Sequence, residues 1–91
     1  MTWAELVEHL VASRYILGDG PIVDCLALAR FLQRHGADQR HQWPEVAAAL
    51  GTTSQAYLGQ RLKRLKRLGL VAYRKGIKGT TGYLFTRLGP E

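Results

Sequence analysis

Leu58, Leu62 and Leu65 recur at intervals of four and three in a stretch that Thr53 or Ser54 can cap and Gly69 can stop. That spacing predicts an amphipathic helix from about Gln55 to Leu68, packed on a core by one face only. If the leucines point inward, a turn of about 100° per residue sends Gln60, Lys63, Arg64 and Arg67 outward, with Tyr57 and Arg61 on one flank. The outward half is polar and cationic. Beyond Gly69, Leu70-Val71-Ala72-Tyr73 has strand propensity.

A 91-residue chain offers that helix a single core, because two independent cores would each be too small to fold unaided. Nearly half the residues are apolar, which suits a globular domain and not a disordered tail. The charge is divided unevenly along this one domain. Residues 1–50 carry four arginines against six acids, a net −2. Residues 51–91 carry nine cations against Glu91 alone, a net +8. Such asymmetry builds a one-sided positive potential that attracts a polyanion, nucleic acid first among them. The plainer account is a solvated basic face, yet ordinary helices mix signs. No acid occurs between Glu45 and Glu91, so favourable i, i+4 ion pairs are forgone.

The first half reads as two helices and a loop. Thr2 and Glu5 form a capping box. Trp3, Leu6, Val7, Leu10 and Leu17 follow a period near 3.6 up to a turn at Gly18-Asp19-Gly20. Pro21 opens a second helix, apolar almost all round from Ile22 to Leu32 and so the central buried one. Arg34-His35-Gly36 is a basic last turn with a left-handed stop, and residues 37–42 form a polar loop. Cys25, the single cysteine, excludes an internal disulfide and suits a reducing cytoplasm; it reads as a small buried apolar residue. His9, His35 and His41 lack metal-ligand spacing and read as exposed or capping residues. No stretch is long and apolar enough for a membrane span, and no signal segment follows Met1. A cytoplasmic location is expected.

From Pro44 the chain reads as a short alanine-rich helix (PEVAAAL), a Gly51-Thr52-Thr53-Ser54 turn, the leucine-striped helix and a strand. Pro44 to Leu88 resembles the winged helix-turn-helix of bacterial transcription regulators such as the MarR and ArsR classes. The likeness rests on the alanine-rich helix ending in Leu50-Gly51, on the inward Leu58, Leu62 and Leu65, and on the Gly69-Leu70-Val71 exit. By the same resemblance YRKGIKGTTGYLFTRL looks like the wing, with Gly76, Gly79 and Gly82 in its loop and Tyr83 to Leu88 as its return strand. The resemblance implies a mainly α fold with a small β-hairpin: four helices followed by a two-stranded wing. It divides the domain into amino-terminal helices and loop (1–42), helix-turn-helix (44–68) and wing (70–88).

The function expected from these readings is binding of double-stranded DNA, as a transcription regulator or nucleoprotein accessory factor. Thr53, Ser54, Gln55, Tyr57, Gln60 and Arg61 stand at the leading end of the recognition helix. Ser54, Gln55, Gln60 and Arg61 are candidates for base edges, where Gln pairs with adenine and Arg with guanine. Lys63, Arg64, Lys66 and Arg67 suit phosphates, and Arg74, Lys75 and Lys78 surround a small wing tip that can follow a backbone. Tyr73, Tyr83 and Phe85 read as hairpin core, and Trp3 and Trp43 as core or interface anchors. No acid–base or nucleophile constellation is visible, so neither catalysis nor a cofactor or metal is expected. A homodimer through the first helix is compatible with the pattern. The alternative is a protein-interaction module or inhibitor within a larger nucleic-acid-processing complex, since fold does not fix function.

Overall fold

The structure, a computed structural model, describes residues 2–76 and 82–89. Lys78 and Gly79 of the expected wing loop lie outside the described residues. Those described form five helices and one two-stranded antiparallel sheet, one helix more than the sequence led us to expect.

The extra helix comes from a break at Ser13. Helix α1 spans Trp3–Ala12 and α2 spans Arg14–Leu17, where a single helix running to Leu17 was expected. Serine is a weak helix former because its hydroxyl competes for backbone groups. The break leaves Leu17 half-buried against the core and turns Tyr15 and Ile16 out to solvent. At the start of α1, Thr2 Oγ1 accepts the Glu5 amide at 3.2 Å and donates to the Glu5 carboxylate at 3.1 Å. Leu6 and Leu10 are the residues of α1 that become buried.

Helix α3 spans Asp19–His35. It starts two residues before Pro21, which still lies in the first turn, where a missing amide breaks no helical bond. The expectation of a helix buried all round needs correcting. Val23 is 61% exposed, Leu26 and Ala27 are half-buried, and Asp24 is buried at 2%. The apolar face consists of Cys25, Leu28, Ala29, Phe31 and Leu32. Burial, with a smaller contribution from the Asp24 charge, pushes the Cys25 thiol up to about 11, so it remains protonated at neutral pH.

Helix α4 spans Trp43–Ala49, one residue earlier than Pro44 suggested. The Gly51 turn leads to Ser54, whose Oγ accepts the Tyr57 amide at 3.2 Å and starts α5, Gln55–Arg67. Leu58, Leu62 and Leu65 are fully buried. The helix closes at Gly69 (φ 76°), and the Leu70 amide returns to the Leu65 carbonyl at 2.9 Å. The three leucines share one core with Phe31, Leu50 and Val71, while Leu26 of the apolar run only packs against its edge.

Strand β1, Val71–Lys75, pairs with β2, Tyr83–Leu88. Leu70 is buried just before β1 instead of belonging to it. A bulge at Ala72/Tyr73 sets Tyr73 opposite Phe85, and Tyr73, Tyr83 and Phe85 pack ring on ring at 5.5 to 6.2 Å. The far side of β2 is covered at its first residue, where His41 and Tyr83 exchange both backbone hydrogen bonds, at 2.9 and 2.8 Å. The loop expected to expose His41 thus buries it to 3%. Its Nε2 donates to the Gly36 carbonyl at the end of α3 over 2.7 Å, and its ring lies edge-on to Phe31. Among the described residues no helix is long and apolar enough to cross a membrane.

Two substitutions check this packing by thermal or denaturant unfolding. Leu62→Ala should cost about 2–5 kcal/mol, the range for truncating a buried leucine. Gly82→Ala should cost at least about 1–3 kcal/mol, since Gly82 sits at φ 91° and a Cβ there would come within 2.7 Å of the His41 carbonyl oxygen. A stable Gly82→Ala protein would mean that β2 is not held against His41.

Candidate nucleic-acid interface

Burial of the leucine stripe determines what α5 offers to solvent. With Leu58, Leu62 and Leu65 inward, Tyr57, Gln60, Lys63, Lys66 and Arg67 are exposed, as are Thr53 and Gln55 at the leading end. Ser54 is half-buried and its hydroxyl is engaged in the helix cap. On the hairpin, Arg74 and Lys75 are exposed, while the third wing cation, Lys78, is outside the described residues. Lys66 connects helix to hairpin, its Nζ 5.3 Å from the centre of the Tyr73 ring.

Arg61 and Arg64 behave differently from the other cations. Arg61 Nε donates to Asp24 Oδ2 at 3.1 Å while its Nη2 donates to Oδ1, a side-on bidentate pair. Arg64 Nη2 donates to the same Oδ2 at 3.1 Å. The expected reach of Arg61 to a base edge is therefore not what the structure shows: its guanidinium is drawn back against α3. The reason is electrostatic. A carboxylate with 3% side-chain exposure must be paired, and no cation on its own helix lies within three or four residues of it. Hydrogen bonding to Asp24, outweighing burial, raises the Arg61 pKa beyond its ordinary value, so the pair stays fully ionised on the arginine side.

Sequence reasoning overlooked Asp24, although a signal existed. It is the one acid inside the apolar run Ile22–Ala29, and a lone acid there calls for a partner from elsewhere in the chain. The arginines retain unpaired donors. Arg61 Nη1 and Arg64 Nη1 make no hydrogen bond among the described residues, and Arg64 Nε is buried without a partner. Together with Tyr57, Gln60 and Arg67 they line an open cleft of about 470 Å³. Burial also raises the pKa of the Tyr73 and Tyr83 phenols, with a further contribution from Tyr83 at Tyr73, so the hairpin aromatics stay neutral. Compared with protein-family models, curated proteins and solved structures, the chain matches none of them.

Asp24→Asn should lower stability by roughly 1–3 kcal/mol, the cost of weakening a charge-assisted buried network. The loss falls short of that for a wholly buried ion pair because Arg61 and Arg64, at 27% and 40% side-chain exposure, can swing out to water. Denaturant titration of the two proteins checks it, and an unchanged midpoint would remove Asp24 from the contacts that hold α3 to α5.

Proposed function

We propose that the chain is a winged helix-turn-helix protein that binds double-stranded DNA, with α5 as the recognition helix and the β1–β2 hairpin as the wing, acting as a transcription regulator or nucleoprotein accessory factor. One observation carries this reading. The solvent face of α5 presents Lys63, Lys66 and Arg67, the adjoining hairpin presents Arg74 and Lys75, and the only carboxylate ion-paired with α5 among the described residues, Asp24, is buried and engages Arg61 and Arg64 instead. Clustered, uncompensated cations on one side are the electrostatic footprint of a phosphate backbone.

The mechanism divides between positioning and reading. Lys63, Lys66, Arg67 and the hairpin cations neutralise phosphates and release counterions, which supplies affinity without regard to sequence. Gln55, exposed at the leading end, faces the groove floor, where its amide matches the paired acceptor and donor of adenine. The β2–His41 pairing and the Lys66–Tyr73 contact keep the hairpin at a fixed angle to α5, so both meet one duplex together.

A second reading, a protein-interaction module, is favoured by a different surface. Val11 and Val23 are mostly exposed, and Tyr15 and Ile16 stand at 87% and 73%, an apolar display on α1, α2 and α3 that duplex binding does not use.

Fluorescence anisotropy with an arbitrary labelled duplex across a salt series separates the two. Log affinity should fall steeply with log salt, by about 0.9 per phosphate contact. Replacing Lys63, Lys66 and Arg67 together by Ala should flatten the slope by about 0.9 for each phosphate left without its cation. The melting temperature should change little, because exposed charges contribute little to stability. Absence of duplex binding at low salt would transfer the case to the protein-interaction reading.

A further inference from the structure

We infer that the cleft between Tyr57, Gln60, Arg61, Arg64 and Arg67 is a preset seat for one phosphodiester group of the bound duplex, and that Asp24 is the positioning residue that holds Arg61 and Arg64 in place around it. The inference rests on the duplex-binding reading and assigns Arg61 a backbone contact instead of a base contact.

The donors set the geometry. Side-on pairing through Nε and Nη2 occupies one edge of the Arg61 guanidinium and leaves Nη1 to point away from Asp24. Arg64 commits only Nη2 to the carboxylate, at 3.1 Å. Arg61 is thus fixed at the back and open at the front, and Arg64 keeps Nη1 unpaired among the described residues, beside a cleft whose remaining lining is the side chains of Arg67, Gln60 and Tyr57. Every polar group named there can donate a hydrogen bond. Arginine beside arginine repels, and the shared carboxylate beneath them offsets that cost, so the two can stand together before any ligand arrives. The start of α3 adds a second restraint. A Cβ on Gly20 would lie 3.2 Å from Arg64 Nη2, so the missing side chain lets the guanidinium rest against the helix. Tetrahedral phosphate oxygens fit two converging planar forks, and arginine is the residue whose geometry suits such bidentate capture. A base edge is the poorer fit, because guanidiniums tied back to α3 cannot extend along α5 to the floor of a groove.

Preorganisation and simple charge make opposite demands on one substitution. Asp24→Asn adds a unit of net positive charge, so charge alone would tighten binding to DNA. If Asp24 instead presets the seat, its loss frees both arginines and binding weakens, by about tenfold, the equivalent of one charge-assisted contact. Anisotropy against several unrelated labelled duplexes should then show the same loss on each, with the salt slope reduced by about 0.9. Arg61→Lys keeps the charge but cannot hold Asp24 and a phosphate in fixed geometry, and should weaken binding to a similar extent. It decides the matter should Asp24→Asn lack a cooperative melting transition. Equal or tighter binding by folded Asp24→Asn, or unchanged affinity and slope for Arg61→Lys, overturns the seat while leaving duplex binding intact. A loss confined to particular sequences overturns the phosphodiester assignment in favour of a base edge. Failure of the parent protein to bind any duplex at low salt overturns both readings.

Discussion

A carboxylate almost without access to water, Asp24, sits where α3 crosses α5, and the rest of the molecule is arranged around the need to pair it. Left alone, a buried charge of that kind costs several kcal/mol. Its own helix supplies no cation at helical spacing, so the partners come from α5, and Arg61 and Arg64 meet it through both carboxylate oxygens. The leucine stripe alone would let α5 slide or rotate slightly against α3, because apolar contact has no direction. Hydrogen bonds of defined geometry remove that freedom. The same contact therefore sets the helix register and the direction in which the remaining cations of α5 face.

The hairpin is held by an analogous division between apolar packing and directional bonds. Tyr73, Tyr83 and Phe85 supply the packing. His41 supplies direction: its backbone pairs with the far side of Tyr83 at the start of β2, while its ring ties the end of α3 through the Gly36 carbonyl. A two-stranded hairpin is marginal by itself, and here the third pairing residue joins it to the helical core. Gly82 matters for this reason, since only a residue without a side chain lets the His41 carbonyl approach so closely.

How much of this was legible in the sequence depended on whether the signal was local. The end of α3 at Gly36, the Ser54 cap, the inward leucines and the extent of β2 were all readable from spacing and turn chemistry, and α5 ends within one residue of where Gly69 suggested. The aromatic hairpin core followed from alternation. What escaped was non-local. Asp24 and His41 looked like ordinary polar residues because their partners lie far along the chain, Arg61 and Tyr83 respectively. The break at Ser13 was masked by Leu17, which continues the helical period while belonging to a separate short helix. Of the candidate site, the cationic face was visible from composition and phase. The withdrawal of Arg61 and Arg64 from that face was not, since it depends on which residue of α3 happens to lie beneath them.

The cost of this arrangement points to what it is for. Lys63, Lys66 and Arg67 stand three and four residues apart on one helix, and like charges at such spacing destabilise it by a few tenths of a kcal/mol per pair. Acids on the outer face would relieve that repulsion and raise helix stability, as in ordinary surface helices. Instead, the one acid ion-paired with α5 among the described residues is buried, where it meets Arg61 and Arg64 and leaves Lys63, Lys66 and Arg67 unrelieved. A carboxylate so placed stabilises the fold without neutralising the field outside it. Relief of the outer repulsion then has to come from solution, from counterions in the free protein and from a polyanion in the bound one, and the exchange of one for the other is itself a source of affinity.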